Sequence, residues 1–244
     1  MGPGTSATIE LRPDGVHKRY RSVRARDQER RALQDWAPHL PLRCPRVLSV
    51  EADALLLEHL DGPHPGPDWR EDLGLADALG RGLAALHALP FEDRDPLPLI
   101  EALPRRLAGW QSRCDDPQVR QADRLLPGVL ARCTPDSLRR VPCHRDVHPG
   151  NVLLGSPLAL LDWEHAGPDS PWVDLLRTWE GLPPDDDPWL CALAAGAGLD
   201  LDAGWPTLRA LGLVEGAGCL AWGTRHGAPE VVARGRRLLE RLSS

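Results

Sequence analysis

"VPCHRDVHPGNVLL" occupies residues 141–154, and "LALLDWE" follows at 158–164. The first stretch packs His144, Arg145, Asp146, His148 and Asn151 into eight residues. Asp and Asn favour turns for local reasons alone, so either residue by itself means little. Their register means more. Asp146 and Asn151 stand five apart across Pro149-Gly150, and "NVLL" can pair with "LALLD" as a hairpin. That pairing brings Asp162, at the end of the second strand, back beside Asn151. A carboxylate and an amide oxygen are hard ligands that suit Mg²⁺, which keeps most of its waters and is otherwise held by substrate phosphates. Asp146 is then left to accept a hydroxyl proton.

This is the layout of a phosphoryl-transfer loop, H-R-D-x-x-x-x-N, followed by a metal-binding Asp. His144, Arg145, Asp146 and Asn151 fill the four fixed positions. A protein kinase continues differently. Here D-F-G is replaced by Asp162-Trp163-Glu164, A-P-E is missing, and the chain reaches "DLL" at Asp174 within twelve residues. "CHRDVHPGNVLL" and "LALLDWEHAGPDSPWVDLL" resemble instead the aminoglycoside phosphotransferase and choline kinase superfamily of small-molecule kinases. The motifs look most like its thiamine-kinase and choline-kinase branches. The resemblance is strong over 143–176, fair over 16–90 and weak over 91–140 and 180–244.

The resemblance implies an α+β, bilobal protein-kinase-like fold, with a small antiparallel-sheet N-lobe and a larger, mostly helical C-lobe. It implies ATP and Mg²⁺, and transfer of phosphate to a hydroxyl of thiamine, a choline-like alcohol, an amino sugar or an aminoglycoside. Asp146 takes the catalytic position, His144 and Asp174 support its loop, and Asn151 and Asp162 hold the metal. Lys18 falls on the phosphate-binding strand, with Glu29 of the next helix as its ion-pair partner. Backbone groups of Glu58 and Leu60, in "LLLEHLDG", would bond the adenine. His148 and Glu164 are candidate substrate contacts, with loop packing and turn capping as equal alternatives. Lys18 is also singled out by composition: it is the lone lysine among 29 basic residues. A compact ammonium at that place is not interchangeable with a guanidinium.

Outward from this centre, residues 7–20 read as a hairpin turning at "RPDG" and residues 25–37 as a helix ended by Pro38. Residues 45–62 read as two strands closed by Asp61-Gly62. A Pro-rich connection follows, and then helices over 71–89, 97–114 and 118–133, the second broken or kinked near Pro104. Residues 172–244 are mostly helical. The division is therefore 1–62, a nucleotide-binding lobe ending in a hinge, and 63–244, a catalytic and substrate-binding lobe. The phosphate-covering glycine-rich loop should precede the Lys18 hairpin, and only Gly2 to Ser6 is available for it. The strand before it is missing, so the N-lobe reads as truncated.

Composition narrows the partners. A net charge of -6 gives no basic face for nucleic acid. A small, neutral or cationic alcohol fits better. Six cysteines form no CxxC pair, which argues against zinc and for a reduced, cytoplasmic setting. The apolar run at 189–199 is far shorter than the ~20 residues of a membrane span. Trp163, Trp172 and Trp179 read as core in preference to a cation cage. A nucleotide-binding regulator without turnover is the rival reading, and the intact Asp146, Asn151 and Asp162 count against it.

Overall fold

A computed structural model describes residues 7–93, 97–179, 182–183 and 186–243. The Gly2–Ser6 stretch lies outside the described residues. The chain enters through a hairpin of β1 (Ala7–Arg12) and β2 (Gly15–Tyr20). Together with β3 (Val47–Val50) and β4 (Ala54–Leu57) they form an antiparallel sheet in the order β1-β2-β4-β3. The inner strands carry the buried side chains. Lys18 on β2 and Leu55 on β4 are nearly inaccessible, whereas edge strand β1 buries only Ala7.

The helix expected over 25–37 is three pieces. α1 (Val23–Arg31) passes into a π turn, Ala32–Trp36, and then a 3-10 turn, Ala37–His39. Pro38 does not stop the chain. It sits at the start of the new turn, where a missing N–H costs nothing and the fixed φ already suits helix. α1 points Glu29 inward, and the π turn buries Ala32 and Leu33.

The helical part comprises α2 (Leu73–His87), α3 (Leu99–Gln111), α4 (Pro117–Leu130), α5 (Pro188–Gly196), α6 (Leu201–His226) and α7 (Pro229–Ser243). Four of these begin on an Asp whose carboxylate accepts a first-turn N–H: Asp72, Asp116, Asp187 and Asp200. Each such cap contributes about 1 kcal/mol. The i, i+4 leucines of α2, Leu75, Leu79 and Leu83, are all buried, as is Leu86. α3 is continuous through Pro104, so of the expected break or kink the break does not occur. One i→i−4 bond is lost there, and burial of Leu99, Ala102, Leu103 and Leu107 holds the helix together. α2 and α5 cross closely at two glycines. A Cβ on Gly80 would lie 2.4 Å from Leu193 O, and one on Gly196 2.4 Å from Asp77 O.

Between α4 and α5 lie two small antiparallel ribbons. β5 (Val141–Cys143) pairs with β8 (Gly167–Asp169), and β6 (Val152–Leu153) with β7 (Ala159–Leu160). The second is the expected hairpin, shorter than predicted. β7 ends at Leu160, and Asp162 leaves the strand in a left-handed conformation with φ 61. Leu161 N still bonds Asn151 O at 2.8 Å, so Asp162 does return beside Asn151. Arg43 ties this hairpin to the segment after α1, through Arg43 N to Leu158 O at 2.8 Å and Leu160 N to Arg43 O at 2.9 Å. Trp163, Trp172 and Trp179 are core residues. Among the described residues, no helix is long and apolar enough to cross a membrane.

Candidate active site

A cleft of about 720 Å³ opens between the hairpin β1–β2, the 144–165 segment and helices α3 and α6. Lys18, Asp146, Asp162 and Glu164 line it together. They are far apart in sequence, so the ties that gather them decide what the cleft can do.

β5 delivers His144 and Arg145. Arg145 has φ 68, a left-handed conformation that costs a non-glycine residue on the order of 1–3 kcal/mol. The turn is held by the carboxylate of Asp174, from the 3-10 turn Pro171–Leu175. It accepts the N–H of His144 at 3.2 Å and the N–H of Arg145, and it meets His87 Nε2 at 2.9 Å. Asp174 is fully buried, so these donors replace the water it has lost. His144 is fully buried as well. Its Nε2 donates to Leu161 O at 2.9 Å and its Nδ1 accepts from Asp146 N at 3.3 Å. One proton, on Nε2, satisfies both bonds, and burial lowers the imidazole pKa, so the ring is neutral. Its edge also packs on Trp163, with ring centroids 4.7 Å apart.

Asp146 follows directly. Its Oδ1 lies 2.8 Å from Arg177 Nε, and its Oδ2 lies 3.7 Å from His148 Nε2. Asn151 Nδ2 donates to Asp146 O at 2.8 Å and to Oδ2 at 3.3 Å. Burial pushes the Asp146 carboxyl up, but the His148 contact and the Arg177 charge outweigh it and hold the pKa well below the usual carboxylate range. Asp146 is therefore an anion at neutral pH: well suited to orienting a hydroxyl and weak as a base in the ground state.

Lys18 is the second centre. Its Nζ lies 2.7 Å from Glu29 Oε2, 2.6 Å from Asp162 Oδ1 and 3.2 Å from Glu164 Oε2. Burial disfavours the ammonium, but three carboxylates outweigh it and raise the pKa. Glu29 is fully engaged: Oε2 also accepts from Tyr20 at 2.6 Å, and Oε1 accepts from Trp163 N at 3.2 Å. Carboxylate oxygens of Glu29, Asp162 and Glu164 lie within 4.8 Å of one another. Three carboxylates around one ammonium leave excess negative charge, which is what a divalent cation neutralises. Asn151 commits its NH₂ to Asp146 and so keeps its Oδ1 as a ligand atom. The donor set, all oxygen, fits Mg²⁺ and is unsuited to a soft metal.

The remaining expected residues are placed as follows. Glu58 donates its backbone N–H to Arg46 O at 2.8 Å, which leaves only its carbonyl for a ligand. Leu60 forms a small apolar cluster with Leu153 and Ala159 beside it. His148 sits between two spaces: its Nε2 stands 3.7 Å from Asp146 Oδ2, its Nδ1 accepts from Gly150 N at 3.1 Å, and the ring lines a separate small pocket with Pro65, Trp69 and Trp189. Glu164 is 5% exposed and bound to Lys18.

Arg177, Glu215 and Arg234 were not found from the sequence. Glu215 Oε1 lies 2.8 Å from Arg234 and 3.7 Å from Arg177. Arg177 lies three residues past Asp174, in the turn that follows the 3-10 element Pro171–Leu175, and no local pattern ties it to Asp146. Nothing local marks Glu215 or Arg234, which come from the mid-helix of α6 and α7.

Comparison with known proteins bears on the family and the fold. The model of the phosphotransferase enzyme family matches residues 12–211. Thiamine kinase of Escherichia coli O81 (strain ED1a) is 34% identical over 149 residues, covering 58% of this chain and 46% of that one. The chain thus spans about half the length of that relative. Aminoglycoside 3'-phosphotransferase of Streptomyces fradiae is 29% identical over 174 residues, 64% of each chain. Among solved structures, the GDP and kanamycin complex of APH(2")-IIia superposes with a TM-score of 0.73 at 18% identity, covering 99% of this chain and 91% of that one.

Proposed function

The chain belongs to the phosphotransferase enzyme family, and from that premise we propose that it transfers the γ-phosphoryl group of ATP to a hydroxyl of a small molecule. One observation carries the reading: Lys18 Nζ stands 2.6 Å from Asp162, 144 residues away, in the same cleft as Asp146. The site assembles a phosphate-binding cation, a metal-binding oxygen set and an anionic acceptor residue. Cys219 also lines the cleft, but burial pushes its thiol up to about 11, so it is not a thiolate nucleophile at neutral pH.

The nucleotide lies between the sheet-bearing lobe, 1–62, and the helical lobe, 63–244. Glu58 O and Leu60 N–H bond the adenine, with Leu60 and Leu153 as apolar surface against the base. Lys18 bonds phosphate oxygens, and Glu29 keeps its stem in place. Asn151 and Asp162 would hold Mg²⁺, with Glu164 beside them; when bound, that ion neutralises charge on the phosphates. Asp146 accepts the hydrogen bond of the incoming hydroxyl and aligns its lone pair with the phosphoryl group. Its low pKa makes it a positioning anion first, taking the proton only as the new O–P bond forms and the hydroxyl acidifies. His144 and Asp174 hold the loop and touch no substrate. Catalysis is then mostly alignment and charge stabilisation.

The test is a panel of alcohols, covering thiamine, choline-like alcohols, amino sugars and aminoglycosides, scored for ATP-dependent phosphorylation. Asp146→Ala is expected to lower transfer about 10²- to 10⁴-fold while nucleotide binding persists. Full transfer in that variant removes Asp146 from its role. Nucleotide binding without transfer to any alcohol favours the regulatory alternative.

A further inference from the structure

The cleft has two unlike ends. At the Lys18 end, carboxylates exceed cations. At the far end they do not. Asp146 is matched by Arg177 at 2.8 Å, and Glu215 by Arg234 at 2.8 Å. Arg145 also reaches the cleft; its partner Asp169 is shared with Arg106 at 2.9 Å. Among the described residues, every carboxylate lining this end is already held by a guanidinium, with positive charge in slight excess. A polycation would have to break these pairs and leave a buried or half-buried guanidinium uncompensated, which is costly.

Part of the same cleft lining is apolar. Trp110 of α3 and Trp222 of α6 belong to it, with Gly218 and Val231. Gly218 gives the wall its shape, since a Cβ there would lie 3.1 Å from Trp110 Nε1. Trp222 is braced by His226, stacked with ring centroids 4.4 Å apart and planes at 24°. Both indoles are half-buried and line the cleft, and Arg113 stands over the Trp110 ring at 5.3 Å from its centroid. Large rings held rigid at a cleft wall recognise flat ligands at little entropic cost.

We propose that the acceptor is an alcohol with a flat, aromatic body and at most one positive charge, seated against Trp110 and Trp222, and that polyamino sugars are excluded by the Asp146–Arg177 and Glu215–Arg234 pairs. This rests on the phosphotransferase reading and narrows its acceptor class. It removes aminoglycosides from the substrates left open by the sequence, although the fold is shared with enzymes that take them.

The experiment titrates the full chain, with Mg²⁺ and ADP present, with three probes: naphthalenemethanol, a singly charged hydroxymethyl N-methylquinolinium, and kanamycin. Calorimetry and saturation-transfer NMR read binding. The two flat alcohols are expected to bind and kanamycin is not. Trp222→Leu should weaken the flat probes about tenfold, which is about 1.4 kcal/mol, and Trp222→Phe should restore them, as a stacking contact requires. The phenylalanine variant separates lost stacking from a damaged fold. Binding of kanamycin as tight as that of the flat probes, absence of binding by both flat probes, or indifference to Trp222→Leu each overturns the inference. ADP binding is read in the same samples. Its absence counts against the phosphotransferase reading instead, so the two failures are distinct.

Discussion

Asp146 keeps its charge in a buried place because Arg177 and His148 stand against its two oxygens. Neutralising Arg177 leaves the burial penalty and removes much of the compensation. In the wild type, the acid limb of kcat/KM set by Asp146 should lie below the ordinary Asp value of about 3.9. In Arg177→Leu it should move upward, and a pH–rate profile of both proteins reads the difference. An unmoved limb would show that Arg177 does not act on Asp146. The sign for stability agrees. A depressed folded pKa means the Asp146 anion stabilises the fold above the unfolded pKa, and that contribution is lost as pH falls through the folded pKa. His144 acts in the same direction at higher pH. It is neutral when buried, so the unfolded chain binds the extra proton and stability declines as pH drops below about 6.5. At this scale the sequence was informative. Asp146, Asn151 and Asp162 could be paired on spacing alone, whereas Arg177 and Glu215 matter only through a contact that no local pattern encodes.

Helix packing depends on close approach as much as on apolar faces. α2 and α5 meet where Gly80 and Gly196 each face the other helix's backbone. Backbone atoms cannot swing aside, so Gly80→Ala must separate the helices. The expected cost is about 1–3 kcal/mol, read as a Tm lower by about 2–4 °C for each kcal/mol in a chain of this size. Nucleotide affinity at low temperature should hold, since Gly80 does not line the cleft. The helices were legible because their signals are local: a capping Asp, then leucines at helical spacing. The π turn after α1 and the β5–β8 ribbon were not. "VPC" and "GPD" show no alternation and contain proline, which favours strand edges only. That ribbon exists because Asp174 and Asp169 fix its two ends, a tertiary cause.

At the scale of the molecule, the sheet and the helices are joined through charge. Lys18 and Glu29 come from the first 31 residues, and both close on the segment 162–164, through Asp162, Glu164 and Trp163 N. Mg²⁺ with ADP, bound across that junction, should stabilise the fold by about 3 kcal/mol at a hundredfold excess over Kd and so raise Tm by about 2–4 °C for each kcal/mol. Asp162→Ala should lose most of this shift in a thermal melt while retaining the unliganded fold. An equal shift in both proteins would take Asp162 out of the ligand set. The two-part architecture was visible in the order of strands and helices, and the closure of Lys18 on Asp162 only through the resemblance, because no period or propensity spans 144 residues.

The chain has one lysine, and the fold holds that amine protonated and 4% exposed among carboxylates. A protonated amine held among three carboxylates is a poor nucleophile even though it lines the cleft. Acylating dyes should therefore leave the native side chains untouched and mark each molecule once when it opens. A lysine-specific protease has the same single target, at the centre of β2. Side-chain amine chemistry thus becomes a count of unfolded molecules, with the residue proposed to grip the phosphates as its reporter.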